Sequence, residues 1–139
     1  MYYHTVYRIF SLRIINYYSE LFEENLTNTS FYLAAANSII DEDIKLSERL
    51  YVPGKKLRGF ERGRIGPKDG NDYVGGNFIT AANITTTLPQ LMSNLQQVDF
   101  IMFFDAANVW GVDYDSSIDD DGSIRSSIGL GIDWMTPIG

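Results

Sequence analysis

The side chains that could do chemistry fall in three places. Residues 54–77, GKKLRGFERGRIGPKDGNDYVGGN, hold seven of the twelve glycines and six of the eleven lysines and arginines. A basic, glycine-rich segment can cradle an anion or enter a groove. The second place is DYDSSIDDDGS at 113–123, a run of carboxylates of the kind that collects a cation. The third is Asp105, which ends a strongly apolar stretch, VDFIMFFDAANVW.

Spacing removes most of the obvious chemistry. The glycine-rich segment lacks G-x-x-x-x-G-K-[ST], so it is not a phosphate-binding P-loop. Arg58-Gly59 and Arg62-Gly63 are compatible with an Arg/Gly RNA-binding tract. Such tracts are repetitive and unstructured, whereas Leu57, Phe60, Ile65, Tyr73 and Val74 supply apolar anchors here. Counted back from Gly122, Asp121 and Asp119 suit a calcium loop, but Ser117 takes the first position and Ile128 the twelfth, where a bidentate Glu belongs. That loop reads as solvated. His4 is the only histidine, there is no G-x-S-x-G elbow, and there are no cysteines. A nucleophilic triad and a thiolate metal site are therefore absent, and the expectation is a protein that is not an enzyme, with no cofactor and no metal.

The bulk composition narrows the class further. In 139 residues, 45% hydrophobic and 14% aromatic content exclude a disordered chain. The net charge of −7 lies mostly outside the glycine-rich segment and excludes a broad nucleic-acid surface. No run of about 18 apolar residues exists, so no transmembrane helix is expected. Transmembrane strands give a much weaker hydropathy signal and stay possible.

The elements that must position these residues alternate with a period of two. Ile124, Ser126, Ile128, Leu130, Ile132 and Trp134 share one face of a strand, with Arg125, Ser127, Gly129, Gly131 and Asp133 on the other. Val98, Phe100, Met102 and Phe104 oppose Asp99, Ile101, Phe103 and Asp105 along 98–110, and residues 78–88 alternate in the same way. Further strands are expected at roughly 5–19, 30–40 and 44–52, with EENLTNTS as a polar connection and a helix conceivable at the alanines 34–36. This gives six antiparallel strands whose long connections, 53–77 and 111–123, leave the same side. Short turns on one side and long loops on the other is the outer-membrane β-barrel pattern. A soluble β-sandwich binding module with a basic loop is the alternative. A carboxylate facing a shielded lumen needs a cation, which the loop's arginines could supply; a carboxylate capping a strand near water needs none. The residues leave both roles open for Asp105.

Four motifs in order resemble the BamA family of outer-membrane β-barrel assembly factors. Leu57-Arg58-Gly59-Phe60 is similar to that family's V-R-G-F signature. Ile65-Gly66-Pro67-Lys68 and Val74-Gly75-Gly76-Asn77 follow it, as in the family's long loop. Phe103-Phe104-Asp105 through Val109-Trp110 resembles a strand ending in an aspartate and a V-W pair. Ser123 to Gly139, ending W-M-T-P-I-G, resembles the antepenultimate strand and its turn. The likeness is close over 44–139 and looser over 1–43.

The resemblance implies an all-β transmembrane barrel in the outer membrane of a Gram-negative bacterium. Residues 1–139 would be an internal part of that barrel, with POTRA domains and first strands before it and two strands after it. The family folds and inserts other β-barrel proteins, so the implied partners are unfolded outer-membrane substrates, accessory lipoproteins and the lipid bilayer, with no nucleic acid. A TamA-like pore of the same superfamily is the near alternative. By the same resemblance the long loop folds into the lumen and Arg58 pairs with acids on the inner wall. Asp105 matches one such acid, while Thr85 stands where the family has a second. Gly59 would allow close backbone approach, and Phe60 would pack against the wall.

Overall fold

The computed structural model describes residues 5–18, 25–38, 44–88, 98–112, 117–118, 120 and 122–134. Seven strands form in this region: β1 (Thr5–Tyr18), β2 (Asn25–Ser38), β3 (Lys68–Asp69), β4 (Asp72–Tyr73), β5 (Phe78–Leu88), β6 (Val98–Trp110) and β7 (Arg125–Trp134). The five long ones make one antiparallel sheet in the order β1-β2-β5-β6-β7, an uninterrupted meander. β3 and β4 form a small hairpin inside the connection from β2 to β5. Among the described residues no helix is long and apolar enough to cross a membrane, which says nothing of strands.

The three strands with the clearest alternation form where the pattern places them. The first half of the chain differs. Residues 44–52, expected as a strand, instead hold a 3-10 turn at Leu46–Glu48 and one isolated bridge, Leu50 to Gly76. Ile44 and Val52 are buried there, but Leu46 between them is exposed and Arg49 on the opposite parity is buried, so the segment has no strand-like face. The Arg49 side chain also folds back, donating from Nε and Nη2 to the Ile44 carbonyl at 3.3 Å each. β2 begins at Asn25, not near 30: the N-L-T-N-T-S stretch pairs with β1 and, from Thr27, with β5, where Thr27 and Thr86 hydroxyls meet at 3.1 Å. Threonine suits a half-exposed pleat, and its cross-strand pairs outweigh the polar look of the segment. Ala34 and Ala36 are strand residues, buried because the long connection lies directly on them.

Removing one strand has a topological result. Residues 19–24 and 89–97 now join strands at one end of the sheet, and 39–77 and 111–124 join them at the other. Long loops and short connections segregate completely.

The sheet has two unlike faces. Unbroken register puts Phe31, Leu33, Phe78, Ile84, Met102, Phe104, Ile128, Leu130 and Ile132 on one of them. These large apolar side chains are exposed, Leu130 by 77% and Ile128 by 75%. Phe78 and Trp110 stack at the loop end of this face, with ring centroids 5.8 Å apart, and Trp134 pairs with Val98 at the turn end. Val98 and Trp110 bound β6; at roughly 3.3 Å per residue and a tilt of about 40°, the two aromatic rows stand about 30 Å apart.

The other face carries the long connection. Val52, Leu57 and Ile65 from the loop pack on Ala34, Ile79, Ala81, Ala107 and Val109 of the wall. Small wall residues let the loop backbone come close. Within the loop the packing is as tight: Gly75 has a φ of +70°, and a Cβ there would lie 2.7 Å from the Leu50 carbonyl oxygen. In the full-length protein, Gly75→Ala is expected to weaken loop docking by about 1–3 kcal/mol. Hydrogen exchange should accelerate across residues 65–76 while the β5–β6 ladder keeps its protection.

Candidate functional site

Asp105 sits on β6 at an inward register position, directly opposite Asn83 of β5. Its side chain is fully buried, while that of Arg58 is 31% exposed. The loop delivers Arg58 to it through the 3-10 turn Gly54–Lys56 and the buried anchor Leu57. Arg58 grips the carboxylate with both main chain and side chain. Its backbone N–H donates to Oδ2 at 3.0 Å, Nε to Oδ2 at 2.7 Å, and Nη2 to Oδ1 at 2.7 Å. Asn83 Nδ2 donates to Oδ1 at 2.9 Å. Four donors thus occupy the roughly four acceptor positions of an ionised carboxylate.

Further contacts hold those donors in place. Asn83 Nδ2 also donates to the Lys56 carbonyl at 2.7 Å, and Ser30 Oγ donates to Asn83 Oδ1 at 3.2 Å. The Arg58 guanidinium lies 3.8 Å from the centroid of the Phe103 ring, a cation over an aromatic face. Phe103 in turn crosses Gly129 on β7, where an added Cβ would approach its ring atoms to 2.5 and 2.7 Å. Gly129, Phe103 and Arg58 therefore form a stack, and Asp105 closes its edge. Neither Asn83, Phe103 nor Gly129 was singled out from the sequence as part of this site. Phe103 shares its strand face with Asp105, but the pairing of Asn83 and Gly129 to it depends on register.

Thr85 is in the cluster as well. Arg58 Nη2 donates to its Oγ1 at 3.1 Å. The hydroxyl keeps an acceptor where the BamA resemblance implies a carboxylate, and among the described residues Asp105 is the counter-charge the guanidinium faces.

The remaining motif residues build the loop. Ile65, Pro67, Val74, Gly75, Gly76 and Asn77 are buried. Gly66, at φ +103°, packs on Val109. Leu50 and Gly76 exchange backbone hydrogen bonds of 2.8 and 3.0 Å. Two roles implied by the resemblance differ in the structure. Gly59 does not serve close approach, since an added Cβ would meet only Ser127 Cβ at an ordinary 3.9 Å; it supplies a φ of +84°. Phe60 is 39% exposed and stands beside Val52, Leu57 and Ile65 of its own loop rather than on the wall. The loop's apolar contacts with the wall are made by Val52, Leu57 and Ile65.

The other sequence candidates do not join the cluster. Asp120 Oδ2 accepts from the Gly111 N–H at 2.8 Å, a loop-end contact. Asp113–Ser116, Asp119, Asp121, His4 and the M-T-P-I-G turn lie outside the described residues. Among the described residues no group of three or more His, Cys, Asp or Glu gathers as a metal site. The exposed Arg64–Glu61 pair, at 3.0 Å, is a surface contact worth little.

Two substitutions separate charge from hydrogen bonding. Asp105→Asn removes the charge and turns an amide donor toward the Arg58 donors; it should weaken docking by about 3 kcal/mol. Thr85→Val removes one neutral acceptor and should cost about 1 kcal/mol. Exchange of the Arg58 amide proton, which is bonded to Asp105, measures both.

Residues 6–139 match the family model for the Omp85 superfamily domain. The outer membrane protein assembly factor BamA of Neorickettsia risticii is 27% identical over 101 residues, 70% of this chain and 13% of that protein. A SAM50-like protein of Schizosaccharomyces pombe is 30% identical over 113 residues, covering 76% of this chain and 23% of its own length. The BamA of Nitratidesulfovibrio vulgaris is 31% identical over 105 residues, 70% of this chain and 12% of that protein. The chain thus spans less than a quarter of the length of each of these relatives.

Proposed function

The chain belongs to the Omp85 superfamily, and from that membership we propose that it is part of the barrel of an outer-membrane protein assembly factor, with its long loop braced in the lumen. The observation that carries the reading is the Arg58–Asp105 junction, made on the inner face of a sheet whose opposite face exposes large apolar residues. A soluble sandwich would cover that apolar face with a second sheet. A lipid bilayer needs it bare, backed by strands of 9–11 residues or more, and β5, β6 and β7 have 11, 13 and 10.

The work of such a protein is not covalent chemistry. Unfolded β-barrel substrates carry unsatisfied backbone N–H and C=O groups that lipid cannot pair. A barrel that offers a strand edge supplies those partners during insertion. The chain described here contributes a stiff wall and the brace. Two bacterial relatives named as BamA support placement in the outer membrane of a Gram-negative bacterium. Accessory lipoproteins of the assembly complex are the proposed protein partners. The S. pombe relative extends the likeness beyond bacteria.

Full-length protein reconstituted in liposomes tests the brace. Arg58→Ala should slow assembly of an unfolded β-barrel substrate by about tenfold, a rise of about 1.4 kcal/mol in the assembly barrier that is part of the larger loss in docking. Arg58→Lys, which keeps charge but not the planar fork, should fall between. Unchanged rates in Arg58→Ala would defeat the brace as a functional element. Placement is tested separately: spin labels at Met102 and Ile128 should be relaxed by oxygen dissolved in lipid more than by an aqueous nickel chelate.

A further inference from the structure

The apolar face has one interruption. Among residues whose side chains are described, Arg8 is the single charge at an outward register position of the five strands. It lies in the row Arg8–Ala35–Phe78–Trp110, which crosses β1, β2, β5 and β6 at the end where the long loops leave. Ala35 is the small residue of that row. Between the exposed Arg8 and the Phe78–Trp110 stack it leaves a notch, and Leu33 continues the notch toward the middle of the sheet. The resulting groove, of about 310 Å³, is lined by Arg8, Leu33, Ala35, Phe78 and Trp110. Its volume is that of a small-molecule site.

We propose that this groove seats one anionic lipid from the leaflet at the loop end, with its phosphate on Arg8 and an acyl chain running past Ala35 and Leu33. The inference rests on the reading of this face as lipid-facing. Three features argue for that occupant. The walls below the rim are hydrocarbon, which suits an acyl chain and not a polar ligand. The one charged group among the lining residues is the Arg8 guanidinium, which binds phosphate oxygens through a planar fork. Its height matches the aromatic row, where headgroups lie and where an arginine on a barrel's lipid face costs little. A zwitterionic lipid would bring its own cation to the same place and lose most of the attraction.

The test uses full-length protein in nanodiscs of phosphatidylcholine with a minor fraction of phosphatidylglycerol. A bimane probe is placed at Phe31→Cys, on the same face just below Leu33, and a control probe at Leu130→Cys on β7. Bromines are put on the acyl chains of one lipid at a time. At equal mole fraction, brominated phosphatidylglycerol should quench the Phe31→Cys probe with about fivefold greater apparent affinity than brominated phosphatidylcholine, the preference expected of one basic residue near an anionic headgroup. Arg8→Gln should abolish that preference, and the Leu130→Cys probe should be quenched equally by both lipids. No quenching at either probe would remove the lipid-facing reading altogether. Quenching at both without a preference at Phe31→Cys, or a preference that survives Arg8→Gln, would overturn the groove alone.

Discussion

One saturated carboxylate organises the inner face. Asp105 is buried without access to water, so every acceptor position it has must be met by protein. Three of its four donors belong to Arg58 and the fourth to Asn83, whose amide also holds the Lys56 carbonyl. A main-chain donor and a side-chain fork from one residue define position and orientation together. The loop cannot slide by a residue without abandoning the carboxylate. The apolar packing around Leu57 adds adhesion but little such specificity, because apolar contacts are non-directional.

The wall is built to receive this junction. Where the loop lies, four inward residues of β2, β5 and β6 are alanines, Ala34, Ala36, Ala81 and Ala107, set beside Ile79 and Val109. Where Arg58 turns toward β7, the wall offers Phe103, laid flat because Gly129 opposite it has no side chain. Bulk and absence alternate so that one cation finds a carboxylate at its edge and a ring beneath its face. On the outer side of the same strands the large residues stand in the open. A strand serves both faces only because successive side chains point opposite ways.

Much of this was legible in the residues. Strict alternation at 78–88, 98–110 and 124–134 set the outer and inner faces correctly, since period two survives any choice of partner. The loop motifs, through their likeness to the BamA family, brought Arg58 and Asp105 together. The misses share a cause. Residues 44–52 carry strand-like apolar spacing, yet Ile44 and Val52 are buried individually while Leu46 between them is exposed. Asn25 to Ser30 look like a connection because their polar side chains hide a backbone that pairs fully. Asn83 and Gly129 belong to the site only through cross-strand register, which pairwise pattern does not encode. Phe60 is apolar and inside the motif, which suggests the wall, but Val52, Leu57 and Ile65 make the loop's wall contacts.

Asn77 has a mechanical consequence. Its N–H bonds the Gly111 carbonyl at 2.9 Å and its carbonyl accepts from the Ala36 N–H at 2.8 Å, so the loop's exit is stitched to the ends of both neighbouring strands. A pull applied to the loop meets two unlike geometries. At its exit the load runs into several main-chain bonds that must break together, including the Leu50–Gly76 pair close by. Toward Gly54 it meets the apolar anchors Val52 and Leu57 and then the Arg58 clasp, one compact junction. Tension would therefore load two unlike anchors, a row of main-chain bonds that share the force at the exit and a single ionic clasp that bears it alone nearer the middle.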